Sequence, residues 1–271
     1  MYPRVANITF DIQFHKQGMV LRKDIFKVAA AGLLVVNLNS CNRHFSVQKN
    51  EYKEYEIGSD TGVDSSLVKY YTPYKQQMEA EMNRVIGQTE VAITKPSTPE
   101  TLLGNFFSEA MLSEGQKLDP SIQFTFATKG GLRLGFPKGD IKVSDVFELM
   151  PFENEMVVLT LSGADVQKLI NFIAKKDGEP IAGMRMKLKN NVAYDIKIQD
   201  KPFDLNKNYK LLTYDYLANS GDDLACLSNP IDRKNVGKKV RDALMDYIGD
   251  QTKNGKKINP QLDGRIVVTN E

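Results

Sequence analysis

The chain has 271 residues, 41% hydrophobic, 26% charged and 9% aromatic, enough to bury a sizeable core in one or two globular domains and too apolar for a disordered tail. Its 36 Lys and Arg stand against 34 Asp and Glu, and a net charge of +2 supplies no broad positive field for a phosphate backbone, which excludes polymeric nucleic acid as a partner. Two Cys (Cys41, Cys226) and two His (His15, His44) rule out a disulfide framework, a Cys-based zinc cluster and a His-rich catalytic metal site.

Arg22 and Lys23 precede an apolar run, Phe26 to Leu38, that is shorter than the about 20 residues a bilayer span requires. A basic pair, a short apolar run and then Asn39, Ser40 and Cys41 follow the order of a secretory signal peptide. Leu38 to Cys41 resembles a bacterial lipobox, in which cleavage leaves Cys41 as a lipidated first residue; the plain alternative is a cleaved signal with an incidental Cys. Met19 is a better initiator than Met1, which makes residues 1–18 an upstream extension. The chain is thus read as a leader over residues 1–40, a polar tether over 41–62 and a folded domain over 63–271. The expected location is extracytoplasmic, in the periplasm or at the cell surface, with membrane contact through the lipid anchor only.

Asp64 is placed to cap a helix with an apolar side of Leu67, Tyr71, Tyr74, Met78, Met82 and Val85, bent or delayed by Pro73. Val85 to Thr94 alternates as a strand, and Thr98-Pro99 starts a second helix burying Leu102, Leu103, Phe106, Phe107 and Met111. Ile122, Phe124 and Phe126 alternate on a strand that runs into Thr128-Lys129-Gly130-Gly131. Ser144 opens a short helix ending at Pro151, and Met156 to Leu161 is a strand. Ser162, with Asp165 three residues on, starts a helix carrying Val166, Leu169, Ile170 and Ile173. Met184 to Leu188 and Val192 to Ile198 form a hairpin; Tyr209 to Tyr216 is a strand, Val236 to Ile248 a helix and Ile266 to Thr269 a closing strand. Helices and strands that do not alternate strictly indicate an α+β domain of mixed α/β layers.

The chemistry concentrates in three loops at strand ends. Gly130-Gly131-Leu132-Arg133 lets backbone amides approach a ligand and sets Arg133 beside them. Met150 to Asn154 presents Phe152 after Pro151, with the amide of Asn154 two residues later. Asp215 to Asp222 joins Tyr216 to a small-residue loop containing Gly221 and ending in the Asp222 carboxylate. Two aromatics and one carboxylate suit a nucleoside: rings sandwich the base at roughly 1–3 kcal/mol each, and the carboxylate accepts from two ribose hydroxyls. Singly, each has a plain alternative: Phe152 as a core ring, Tyr216 as a strand-end aromatic, Asp222 as a turn residue, Arg133 as a surface ion-pair partner.

Their order is what distinguishes them. Thr128 to Ile170 resembles the C-terminal domain of the 5′-nucleotidase family, whose GGIR loop, PAG-D-I turn, P-F segment and L-(T/S)-G-A helix start follow in the same sequence. Tyr209 to Leu224 (YKLLTYDYLANSGDDL) resembles the family's aromatic-LANGGDG signature. The resemblance, covering roughly residues 60 to 269, implies that Phe152 and Tyr216 clamp the base, that Asp222 and Arg133 hold the ribose, and that Asn154, Thr128, Gly130, Gly131 and Gly221 complete the substrate site. Thr128 stands where the family usually has Asn, which weakens one base contact. The segment from Thr94 to Asn105 lacks the family's Arg, with Lys95 as a partial substitute.

The family's N-terminal metallophosphatase motifs, D-x-H and G-N-H-(D/E), have no counterpart in this sequence. The expected role is therefore the nucleotide-recognition part of a split 5′-nucleotidase, with no cofactor in this chain and divalent metals held by a separately encoded metallophosphatase. The other readings are a stand-alone nucleoside-binding lipoprotein and a structural surface lipoprotein with a degenerate site. Cys226 is expected as a small buried hydrophobe.

Overall fold

The computed structural model describes residues 51–56, 58 and 62–269. The leader over residues 1–40, the anchor Cys41 and most of the tether lie outside the described residues. A compact unit begins at Val63 and opens on α1 (Ser65–Met82), capped by the Asp64 carboxylate, which accepts from the amides of Ser66 and Leu67 at 2.9 and 3.2 Å. Pro73 lies within this helix and does not delay its start. Its apolar side forms but is not covered: Leu67, Tyr74 and Met78 are all exposed.

β1 (Val85–Thr89) ends five residues short of the expected Thr94; Ile93 returns only as an isolated bridge to Phe136. α2 (Leu102–Leu118) starts after Thr101, not at Thr98-Pro99, because the Thr101 hydroxyl accepts the Gly104 amide proton at 2.9 Å. The helix buries Leu103, Phe106, Phe107 and Met111. β2 (Phe124–Phe126) is buried on both faces. β3 (Gly139–Lys142) pairs antiparallel with β1. α3 (Val143–Leu149) begins one residue before the expected Ser144, with Asp145 accepting from the Lys142 amide at 2.7 Å.

β4 (Glu155–Ser162) leads into α4 (Gly163–Lys175), where Ser162 Oγ accepts the Asp165 amide proton at 3.2 Å and donates to the Asp165 carboxylate at 2.7 Å. α4 buries Val166, Leu169, Ile170 and Ile173, each contributing about 1.5–3 kcal/mol. After β5 (Ile181–Ala182), the hairpin of β6 (Met184–Lys189) and β7 (Val192–Ile198) turns through Asn190 and Asn191 at φ 50° and 61°, the left-handed pair that matches strand twist. β8 (Lys201–Pro202) and β9 (Asn208–Tyr214) follow. β9 stops at Tyr214, not Tyr216, because Asp215 opens the short α5 (Asp215–Ala218) and accepts the Tyr216 amide proton at 2.8 Å. Val236 to Lys239, expected as helix, belong to β10 (Asp232–Lys239); α6 (Val240–Lys253) and β11 (Ile266–Val268) complete the unit. Cys226 is half-buried against the core, less enclosed than expected.

The central sheet has the order β10-β4-β9-β2-β5, and a second has the order β11-β6-β7-β8. β9 runs parallel to β2 and antiparallel to β4. The ends of β2 and β9 and the start of β4 therefore lie at one edge of the sheet, with Met156 opposite Tyr214. That topology brings three loops distant in sequence to one place. Among the described residues no helix is long and apolar enough to cross a membrane.

Candidate functional site

At this edge lies a cavity of about 380 Å³ lined by Gly130, Gly131, Arg133, Phe152, Asn154, Tyr214, Tyr216 and Asp222. Seven of these were candidates from sequence; Tyr214 was not. Phe152 is 41% exposed and Tyr216 50%, and both rings belong to the cavity lining. Phe152 is not the core ring of its plain alternative, and Tyr216 sits in a short helix just past the end of β9 and not on the strand itself.

Each loop is held from behind. Lys95, read as a partial substitute for the family's Arg, donates to the carbonyls of Lys129 and Leu132 at 3.0 and 2.6 Å and so ties down the glycine turn. The Lys129 amide donates to Glu179 at 2.6 Å, and the Arg133 amide to the Leu149 carbonyl at 2.8 Å, joining the first loop to the second. The Arg133 guanidinium lies 6.0 Å from the Phe152 ring centre and donates to the Gly130 carbonyl at 3.3 Å. Behind Phe152, the buried Arg241 donates to its carbonyl at 2.9 Å, pairs with Glu153 and lies 4.3 Å from the Phe147 ring centre. Neither Lys95 nor Arg241 could be assigned these positioning roles from charge alone, because their carbonyl partners are remote in sequence.

Asp222 is the hub of the third loop. Its Oδ2 accepts from the Thr128 hydroxyl at 2.6 Å and its Oδ1 from the Tyr216 hydroxyl at 3.1 Å. Thr128 is buried at 3% exposure and does not line the cavity; its hydroxyl reaches Asp222 instead. Ser220, Asp222 and Asp223 all adopt left-handed backbone, φ 68°, 55° and 62°, a conformation that Asp tolerates better than most residues. Gly221 allows the ring of Tyr216 to lie flat on the loop, since a β-carbon there would sit 2.5 Å from a ring carbon. The Gly221→Ala protein is expected to lose at least about tenfold in nucleoside affinity by displacing a ring worth roughly 1–3 kcal/mol, while its thermal unfolding midpoint stays near that of the parent; calorimetric titration and melting check the two halves.

Glu179, beneath the glycine turn, is buried, and burial raises its carboxyl above the usual 4.5, partly offset by the Lys129 amide and ammonium. The folded state therefore holds this proton more tightly than the unfolded chain does. Its stabilisation is complete below the unfolded value and is lost as pH rises through the raised one. Glu179→Gln is expected to flatten that loss: relative to the parent, the variant gains stability as pH rises above the usual carboxylate range, read from urea midpoints across a pH series.

A second cavity, of about 370 Å³, lies between Asn105, Tyr247, Asp263 and Arg265. Its polar groups already serve one another: Arg265 pairs with Asp263 at 2.9 Å, and Asn105 Nδ2 donates to Glu100 and to the Gln261 carbonyl at 2.6 and 2.7 Å. The first cavity differs in offering exposed rings. Its donor set of one carboxylate, one amide and phenols does not fit a divalent metal, and among the described residues no cluster of three His, Cys, Asp or Glu could hold one.

Residues 85–229 match the family model of the 5′-nucleotidase C-terminal domain. Among curated proteins, the chain is 26% identical to Protein UshA of Yersinia enterocolitica over 91% of its own length and 46% of that protein's. It is 22% identical to a 5′-nucleotidase of Vibrio parahaemolyticus, again over 91% of this chain and 45% of the relative. The chain thus spans less than half the length of these relatives. Among solved structures, a 5′-nucleotidase precursor from Thermus thermophilus superimposes with a TM-score of 0.64 at 26% identity, over 75% of this chain and 43% of that one. The NAD nucleotidase of Haemophilus influenzae shares the fold at a TM-score of 0.57 and 17% identity, over 76% and 41% of the two chains. With more than half of its residues inside the matched region, this chain belongs to the 5′-nucleotidase C-terminal domain family.

Proposed function

We propose that this domain recognises the nucleoside part of a nucleotide in the 380 Å³ cavity. The observation that carries the reading is the presence of two exposed rings, Phe152 and Tyr216, on the same cavity as a hydrogen-bonded carboxylate, Asp222. The rings stack on the base, Asp222 accepts from ribose hydroxyls through lone pairs left free by Thr128 and Tyr216, and the exposed Arg133 guanidinium supplies donors to the sugar. Asn154 adds an amide at the cavity wall. Thr128, Gly130, Gly131 and Gly221 shape the site, the first by orienting Asp222.

Hydrolysis of the phosphate ester is assigned to a separately encoded metallophosphatase, whose divalent metals supply the activated water. Anchoring outside the cytoplasm through a lipidated Cys41 rests on residues 22–41 alone.

Calorimetric titration of the full chain with adenosine, AMP and a UDP-sugar tests the binding reading. Saturable binding that is lost in the Phe152→Ala, Tyr216→Ala double variant is expected, and no binding of any of the three overturns it. AMP turnover by candidate metallophosphatases with and without this chain tests the division of labour. A gain on mixing supports it; binding without any gain favours a stand-alone nucleoside-binding protein.

A further inference from the structure

Tyr214 forms the back wall of the same cavity, and the role described above leaves its hydroxyl unused. The residue closes β9 at 1% exposure and lines the cavity, and its Oη, all but closed to bulk solvent, has no hydrogen-bond partner in the protein. Its neighbour Thr213 is satisfied by donating to the Phe126 carbonyl at 3.0 Å. A buried phenol without a partner is a standing cost to the fold, and such groups are rare without a reason. The glycine turn is built around it: a β-carbon at Gly131 would lie 2.6 Å from Tyr214 Oη. Thr128 lies alongside, near the same point of the glycine turn, and its own proton is committed to Asp222. Burial pushes the phenol up to about 12, with Thr128 pulling the other way. The hydroxyl therefore keeps its proton and remains a donor at neutral pH.

We propose that Tyr214 Oη donates a hydrogen bond to the acceptor on the sugar-side edge of the base, the N3 nitrogen of a purine or the O2 oxygen of a pyrimidine. This rests on the nucleoside reading and deepens it. Phe152 and Tyr216 occupy the faces of the base, so a group on the back wall meets an edge. Tyr214 Oη and Thr128 Oγ1 lie 2.6 and 3.6 Å from the point a Gly131 β-carbon would occupy, and Thr128 Oγ1 is 2.6 Å from Asp222, which sets Tyr214 on the carboxylate's side of the cavity. The edge presented to it is then the one that carries the sugar. All four common bases bear an acceptor there, N3 or O2. A single donor at this point holds the base in register without choosing among bases, and rejects a ring lacking that acceptor.

The test uses adenosine, 3-deazaadenosine, in which a C–H replaces N3, and 7-deazaadenosine as a control, titrated calorimetrically into the full chain and its Tyr214→Phe variant. The parent is expected to bind 3-deazaadenosine about tenfold more weakly than adenosine, the effect of one buried hydrogen bond, and 7-deazaadenosine as tightly as adenosine. Tyr214→Phe is expected to weaken adenosine about tenfold, to leave 3-deazaadenosine unchanged, and to melt no lower than the parent, since it removes an unpaired group. Equal binding of adenosine and 3-deazaadenosine by the parent, or undiminished adenosine binding by the variant, overturns the assignment while leaving the nucleoside reading standing. No adenosine binding by the parent overturns both.

Discussion

Replacing Asp222 with asparagine is expected to weaken nucleoside binding about tenfold to hundredfold while leaving the domain folded. The carboxylate already accepts from Thr128 at 2.6 Å and Tyr216 at 3.1 Å, and the ribose adds two more donors to the same pair of oxygens. A hydrogen bond to a charged group contributes about 1.5–3 kcal/mol, roughly twice the neutral value. Asparagine keeps the shape but offers one acceptor oxygen where four hydroxyls compete, and turns an amide donor toward the others. The control is the sugar: 2′,3′-dideoxyadenosine lacks both hydroxyls and should bind the parent and the Asp222→Asn variant alike. Calorimetry with the two nucleosides checks both arms, and an equal loss for both would mean that Asp222 acts on the loop and not on the ligand.

Phe152→Ala and Tyr216→Ala are each expected to cost about 1–3 kcal/mol of nucleoside binding, the value of one base–aromatic stack, or about fivefold to more than hundredfold in Kd. The double variant should lose less than the sum of the two single losses, because a base released from one ring no longer lies squarely on the other. Tyr216→Phe separates stacking from the hydroxyl: it retains the face and loses only the 3.1 Å bond to Asp222. It should fall between the parent and the alanine variant. Both rings are about half solvent-exposed, so folding stability should change by no more than about 0.5 kcal/mol, the usual range for surface substitutions. Titration alongside urea denaturation distinguishes a binding defect from an unfolding one.

What the sequence made legible was local. Ser162 and Asp165 announce a helix start that the structure realises atom by atom, and the Asn190-Asn191 turn follows from two residues that tolerate left-handed backbone. The family signatures placed the three loops in order, and the sheet topology explains why they meet. Misreadings arose where one local bond or one remote partner decides. Tyr214 and Tyr216 are two residues apart and would share a face of a single strand, yet one is buried and the other exposed, because the Asp215 side chain starts a helix between them. β10 is polar along much of its length, so alternation does not reveal it; it is defined by backbone pairing with β4. Periodicity assigned α1 an apolar side without saying what would cover it. The supporting roles of Lys95 and Arg241 depend on carbonyls far along the chain and have no sequence signature.

The left-handed torsions of Ser220, Asp222 and Asp223 have a thermodynamic consequence for ligand capture. A loop that has already adopted its uncommon angles meets its ordering cost when the domain folds, so little backbone freedom remains to be surrendered when a nucleoside arrives. Association at this rim should then resemble the filling of a rigid mould, with heat signatures dominated by stacking and sugar contacts and with amide protection along residues 220–223 similar before and after the encounter.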